Sequence, residues 1–166
     1  MGSLTGFLMG CSPTLDWREA RLEAGLIAMF PCRPVAQSRQ LVLAGAPVTM
    51  SLSACEAGGK TYAVGLADVA DPARVGPALA ALREASEAKL ARAASAASGA
   101  LGVDGMTPQA MAGRWHLSGQ RPEGEALAME TAAFARGTWV VQASVIGGQL
   151  PAQAVGPFFE GLRFRP

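Results

Sequence analysis

Histidine occurs once in this chain, at position 116, tyrosine once, at 62, and asparagine not at all. One imidazole excludes any metal site built on two histidines. It also leaves Ser-His chemistry resting on a single residue, with no Gly-x-Ser-x-Gly elbow to present a nucleophile. Cationic runs are missing as well: 14 Lys and Arg stand against 13 Asp and Glu, scattered along the chain. The electrostatic footprint of a phosphate-backbone binder is therefore absent, and nucleic acid is not an expected partner. No apolar run reaches the roughly 18 residues that a spanning helix needs. Lysine is scarce beside arginine while alanine is abundant, which points to a GC-rich coding sequence and carries no mechanistic weight.

At 166 residues the chain has the length of one domain with one core. Its three cysteines carry more information than its length. Leu8-Met9-Gly10-Cys11, after Leu4 and Phe7 and before Ser12-Pro13, resembles a bacterial lipobox, in which a small residue before Cys allows cleavage and diacylation of the thiol. The segment ahead of Cys11 is short and lacks Lys and Arg, contrary to a secretory n-region, so a start further upstream is expected. N-myristoylation fits less well, because the sixth residue is Gly6. With Cys11 carrying lipid, Cys32 and Cys55 remain as an even pair, which tends to bridge in an oxidising compartment and would stabilise the fold by about 3 kcal/mol. The alternative is two buried thiols in a reducing cytoplasm. The expected organisation is a lipoprotein-like leader over 1–11, a tether or edge segment over 12–24 packed by Trp17, and one domain over 25–166.

Residues 26–30 form a continuous apolar run stopped by Pro31 and Pro34, as a buried strand would be. Residues 39–43 and 48–55 flank Ala44-Gly45-Ala46-Pro47 and predict an antiparallel hairpin turning at Gly45. Its second arm puts Thr49, Ser51, Ser53 and Cys55 on one face, and brings Cys55 opposite a residue just past Pro34, within loop reach of Cys32. Gly58-Gly59 turns the chain into a third strand with Tyr62, Val64 and Leu66 on one side. Asp71-Pro72 is a helix start, with Asp71 as cap and Pro72 in the first position. Val75, Leu79, Leu82 and Leu90 then form a helical stripe, and the helix is expected to fade through 93–98 and end near Gly99.

Residues 114–118 alternate, with Trp115 and Leu117 inward and Arg114 and His116 outward. For 125–134 strand is preferred over helix, although Ala, Leu, Met and Glu favour the latter. The run from Gly137 to Ile146 is the most apolar strand, and everything before it reads as pairing or packing with it. Pro151 opens a short helix carrying Val155, Phe158, Phe159 and Leu162.

Met29-Phe30-Pro31, Tyr62-Ala63-Val64, the Trp139 strand and Phe158-Phe159-Glu160-Gly161-Leu162-Arg163-Phe164 give the chain, from about residue 25 onward, a layout that resembles the PsbP/DcrB-like α/β sandwich. The resemblance implies an α+β fold, an antiparallel β-sheet flanked by helices on both faces in an α/β/α sandwich. It also implies a role in binding other proteins rather than in catalysis. Cys32 and Cys55 depart from that pattern, and no functional residue carries over.

Gly58-Gly59-Lys60-Thr61 imitates the end of a P-loop, but Ala54 stands where the first Gly is required and a strand follows. Asp68 and Asp71 flank a strand-to-helix junction where capping explains Asp71. Glu123, Glu125 and Glu130 lack a partner acid and read as solvated residues. Arg114, His116 and Arg121 are the candidate polar contact patch. The expectation is a non-catalytic envelope lipoprotein with neither metal nor cofactor, facing the periplasm, held to the membrane through Cys11, and binding another envelope protein. The alternative is a small-ligand carrier with a pocket between the sheet and the long helix, where small Ala side chains leave room. An enzyme is the weakest reading.

Overall fold

Period-two alternation and continuous apolar runs outnumber helical stripes in this chain, and the architecture follows them. The computed structural model describes residues 15–166, so the leader, Cys11 and the first residues of the tether lie outside the described residues. Strands make up 51% of the described residues and helices 18%. The expected sheet sandwiched between helical layers is thereby corrected: there are two antiparallel sheets and two short helices, a β-rich fold. The apolar run at 26–30 is the reason. It does not join the main sheet but forms the middle strand of a second one.

That second sheet holds β1 (Arg18–Arg21), β2 (Leu26–Phe30) and β10 (Arg163–Phe164), in the order β1-β2-β10. Within the segment expected as tether or edge, residues 18–21 form an edge strand, pairing Arg18 with Phe30 through Arg21 with Ile27. The larger sheet has seven strands in the order β3-β4-β5-β9-β8-β7-β6. Its first three form the predicted meander: β3 (Val35–Leu43), β4 (Ala46–Ala57) and β5 (Lys60–Asp68). The turns between them put Ala44 and Gly45, then Gly58 and Gly59, at positive φ, the hand that matches strand twist in a tight hairpin.

β9 (Trp139–Gly147) lies between β5 and β8 (Ala126–Arg136), as a run with Val140, Val141, Ala143 and Val145 fully buried should. In β8, Ala132 and Phe134 face one core while Met129, Ala133 and Ala135 face the other. Ladder bonds to β7 (Gly113–Gln120) and β9, plus burial on both faces, outweigh the helix propensity of its Ala, Leu and Met, which is worth only tenths of a kcal/mol per residue.

The Asp71 carboxylate accepts from Ala73 N at 2.9 Å, and Pro72 opens the turn that leads into α1 (Val75–Glu87). Val75, Ala78, Leu79, Leu82 and Ser86 are its buried face, set against β8 and β9. The helix stops sooner than its alanines suggest. Ala91–Ala97 is a strand, β6, at the margin of the large sheet. All seven residues are exposed, so burial does not choose between helix and strand. Pairing with the otherwise open edge of β7 does.

The opposite face of the large sheet is covered by the small sheet and by α2 (Ala152–Glu160), which Pro151 precedes. Phe30, Tyr62, Phe158 and Phe159 interlock there edge to face, with centroids 5.1 to 5.6 Å apart. Cys32 and Cys55 form a disulfide with Cα atoms 6.0 Å apart, joining the chain just past β2 to β4 and so one sheet to the other. Among the described residues no helix is long and apolar enough to cross a membrane.

Candidate functional site

Where α1 runs past the β3–β4 end of the large sheet, the two do not close on each other. The gap is a cleft of about 310 Å³, with Leu41, Met50 and Leu52 on the sheet wall and Ala81 and Ala85 on the helix wall. Each element supplies its wall by periodicity. Odd-numbered residues of β3 and even-numbered residues of β4 face α1, and Ala81 and Ala85 lie one helical turn apart. Small side chains on the helix keep the space open. On the sheet, Gly65 pairs with Leu52 on one side and Gln142 on the other, and a methyl group there would come within 3.1 Å of Met50 Sδ. Met50 and Leu52 therefore lean across a residue without a side chain. At the inner end, Gln142 Nε2 donates to Leu82 O at 2.9 Å and to Ser86 Oγ at 2.5 Å, pinning α1 to β9.

Two cations, Arg39 from β3 and Lys89 from the turn after α1, complete the lining, and no acidic residue belongs to it. Both keep much of their surface in solvent. The Lys89 ammonium is nonetheless held below its ordinary value, first by partial burial and then by the like charge of Arg39.

The residues expected to form a polar patch divide into two places. Arg114 and His116, neighbours on one face of β7, converge on Glu130 of β8, which stands directly opposite His116 in the register. Arg114 Nε donates to Glu130 Oε1 at 2.7 Å, and His116 Nδ1 lies 3.1 Å from Glu130 Oε2. Glu130 is only 5% exposed. The Arg114 guanidinium also stacks over Phe159 of α2, 4.3 Å from the ring centroid. Arg121 does not join them. It lies in the turn after β7, paired with Glu125 at 3.6 Å beside a separate surface hollow that Lys60 lines, roughly 20 Å along the strand from Arg114.

Chemically, the Arg114–Glu130–His116 group holds one buried anion with both oxygens engaged by cationic or polar partners. It locks β7, β8 and α2 together. The expectation that Glu130 is solvated is corrected by its burial; its place opposite His116 needed the β7–β8 register, which spacing alone does not give. The cleft residues Arg39, Met50, Gly65, Lys89 and Gln142 carried no sequence signal beyond the alanines of α1. Asp68 accepts from Thr138 Oγ1 at 2.7 Å and from Ala70 N at 2.8 Å, so its carboxylate secures the β9 start and the turn before α1. Gly58-Gly59-Lys60-Thr61 is a hairpin turn, with Lys60 Nζ donating to Gly58 O at 2.9 Å.

In comparisons with known proteins, no family model matches the chain, and no curated protein or solved structure matches it.

Proposed function

We propose that this protein works by binding rather than turnover, and that it carries a small, largely apolar molecule in the cleft between α1 and the β3–β4 wall. The observation behind this is the cleft itself. Its volume of about 310 Å³ lies at the lower end of the range of ligand pockets, and aliphatic side chains dominate both walls. The rival reading, docking of another envelope protein, would be favoured by a broad exposed apolar face. Among the described residues the large exposed hydrophobic side chains are Val35 and Val42, at opposite ends of β3 with Val42 at the rim of the cleft, and Met111 on a loop. Single exposed apolar residues of that kind are ordinary surface.

An uncharged probe whose fluorescence rises in apolar surroundings, N-phenyl-1-naphthylamine, tests the carrier reading. Saturable binding that Ala85→Trp abolishes, with the fold intact by circular dichroism, is the expected result. Equal binding to both proteins would place the probe elsewhere and remove the carrier reading.

Export belongs to the same proposal. The Cys32–Cys55 bridge is the kind of link that persists in an oxidising compartment, and the lipobox-like Leu8-Met9-Gly10-Cys11 would fix the chain to the bacterial envelope through Cys11, facing the periplasm. Mass spectrometry of membrane-derived protein, with and without Cys11→Ala, is the measurement. Unacylated, soluble chain in both cases would remove the anchor.

A further inference from the structure

We infer that the molecule taken by this cleft is a single-chain anionic amphiphile, a medium-chain carboxylate, with its tail between α1 and the β3–β4 wall and its head between Arg39 and Lys89. This rests on the reading of the cleft as a ligand site and narrows what that site accepts. The argument is one of charge complementarity. Arg39 and Lys89 approach from different elements, and neither forms an ion pair among the described residues. The acids nearest in sequence to Lys89 do not answer it: Glu87 is held by Arg83 at 3.2 Å, and neither Glu84 nor Glu87 lines the cleft.

Lys89 alone has a structural explanation, because it stands just past Ala88, the C-cap of α1, where the helix dipole favours a cation. Arg39 has none of that kind. It stands on β3 opposite Met50, above aliphatic Leu41 and Leu52, close enough for its charge to disfavour the Lys89 ammonium. Two like charges beside an apolar cleft, without a counter-charge, repel each other until an anion lies between them. A carboxylate on an alkyl chain meets both halves of the site at once. Its tail replaces water against Met50, Leu52, Ala81 and Ala85, and its head relieves the repulsion. A small inorganic anion would leave the apolar walls wet, and a neutral tail would leave the cations unpaired.

The test is calorimetric titration, below the micelle threshold, with decanoate, decanol and decylammonium, against the native protein, Arg39→Gln/Lys89→Gln and Ala85→Trp. Decanoate is expected to bind roughly three- to tenfold tighter than decanol, the scale set by two partly exposed ion pairs. The double variant is expected to erase that preference while keeping decanol binding, and Ala85→Trp to abolish both. Equal binding of decanoate and decanol, both blocked by Ala85→Trp, would overturn the anionic head and leave the carrier reading standing. A preference for decylammonium would overturn the inference outright. Failure of all three probes would overturn both. Co-sedimentation with phosphatidylglycerol vesicles that the double variant loses, in a protein that does not bind decanoate, would assign the cations to a bilayer surface and overturn the proposal.

Discussion

The phenol of Tyr62 is fully buried, and its hydroxyl donates to Ala154 O at 2.9 Å, so one side chain of β5 holds the start of α2. Burial raises its pKa above the ordinary value. The neutral phenol is the form the fold stabilises. Its contribution is present in full below the unfolded-state pKa and is lost as pH rises through the higher folded one. Tyr62→Phe should cost about 1 kcal/mol at neutral pH, since the ring still packs and one hydrogen bond goes. It should also flatten the alkaline loss of stability in urea titrations run at increasing pH. An unchanged alkaline limb would mean that another group governs it.

Glu130 poses the complementary case of a buried charge. Arg114→Ala strands a carboxylate that is 5% exposed, whereas Glu130→Gln removes the charge and keeps the shape. The expected costs are about 2 to 3 kcal/mol for the first and about 1 for the second, below the range for fully buried pairs because Arg114 and His116 reach solvent. Chemical denaturation giving the reverse ranking would refute this account. The contrast between Cys55 and Glu130 shows what single residues disclose. The cysteine pair was legible because Val35 pairs with Ala54 once the hairpin turns near Gly45, and a local turn signal places that hinge. Glu130 was not, because its partners are sixteen and fourteen residues away, across a turn whose register no local signal fixes.

Elements were legible where period and punctuation agreed. The Gly58-Gly59 hairpin, the Asp71-Pro72 start and the short helix after Pro151 all stand where their turn and cap residues put them. β6 was not, since Ala favours helix locally and only the free edge of β7, a tertiary feature, draws it into the sheet. The placement of β2 likewise depended on global pairing: an apolar run says that a strand is buried, not which sheet buries it. At the close of α2, Gly161 is required by space rather than by backbone freedom. A methyl group there would collide with the Met29 side chain, and would come within 2.9 Å of Pro157 O. Gly161→Ala is expected to destabilise the protein by about 1 to 3 kcal/mol through overpacking between α2 and β2. A thermal midpoint equal to that of the native protein would show that Met29 moves aside freely.

Taken whole, the molecule is a large sheet with unlike coverings, a helix on one side and a second sheet with a short helix on the other, and the Cys32–Cys55 link crosses between the sheets. Loss of the link in Cys32→Ser should lower stability by about 3 kcal/mol, the chain-entropy value for a loop spanning 23 residues. Reductant should have the same effect on the native protein and none on the variant. Equal denaturant midpoints for native and variant would mean that packing alone joins the layers. Among the described residues the large sheet also remains an open ribbon, with β3 pairing on one side only. The same strand walls the cleft, so the part of the molecule that would grip a guest is also a bare rail of amides and carbonyls on which another copy could zip. If the cleft carries a guest as proposed, cargo and self-association would draw on one strand: a guest would act as a splint, and light scattering of stored protein should grow more slowly with decanol present than without it.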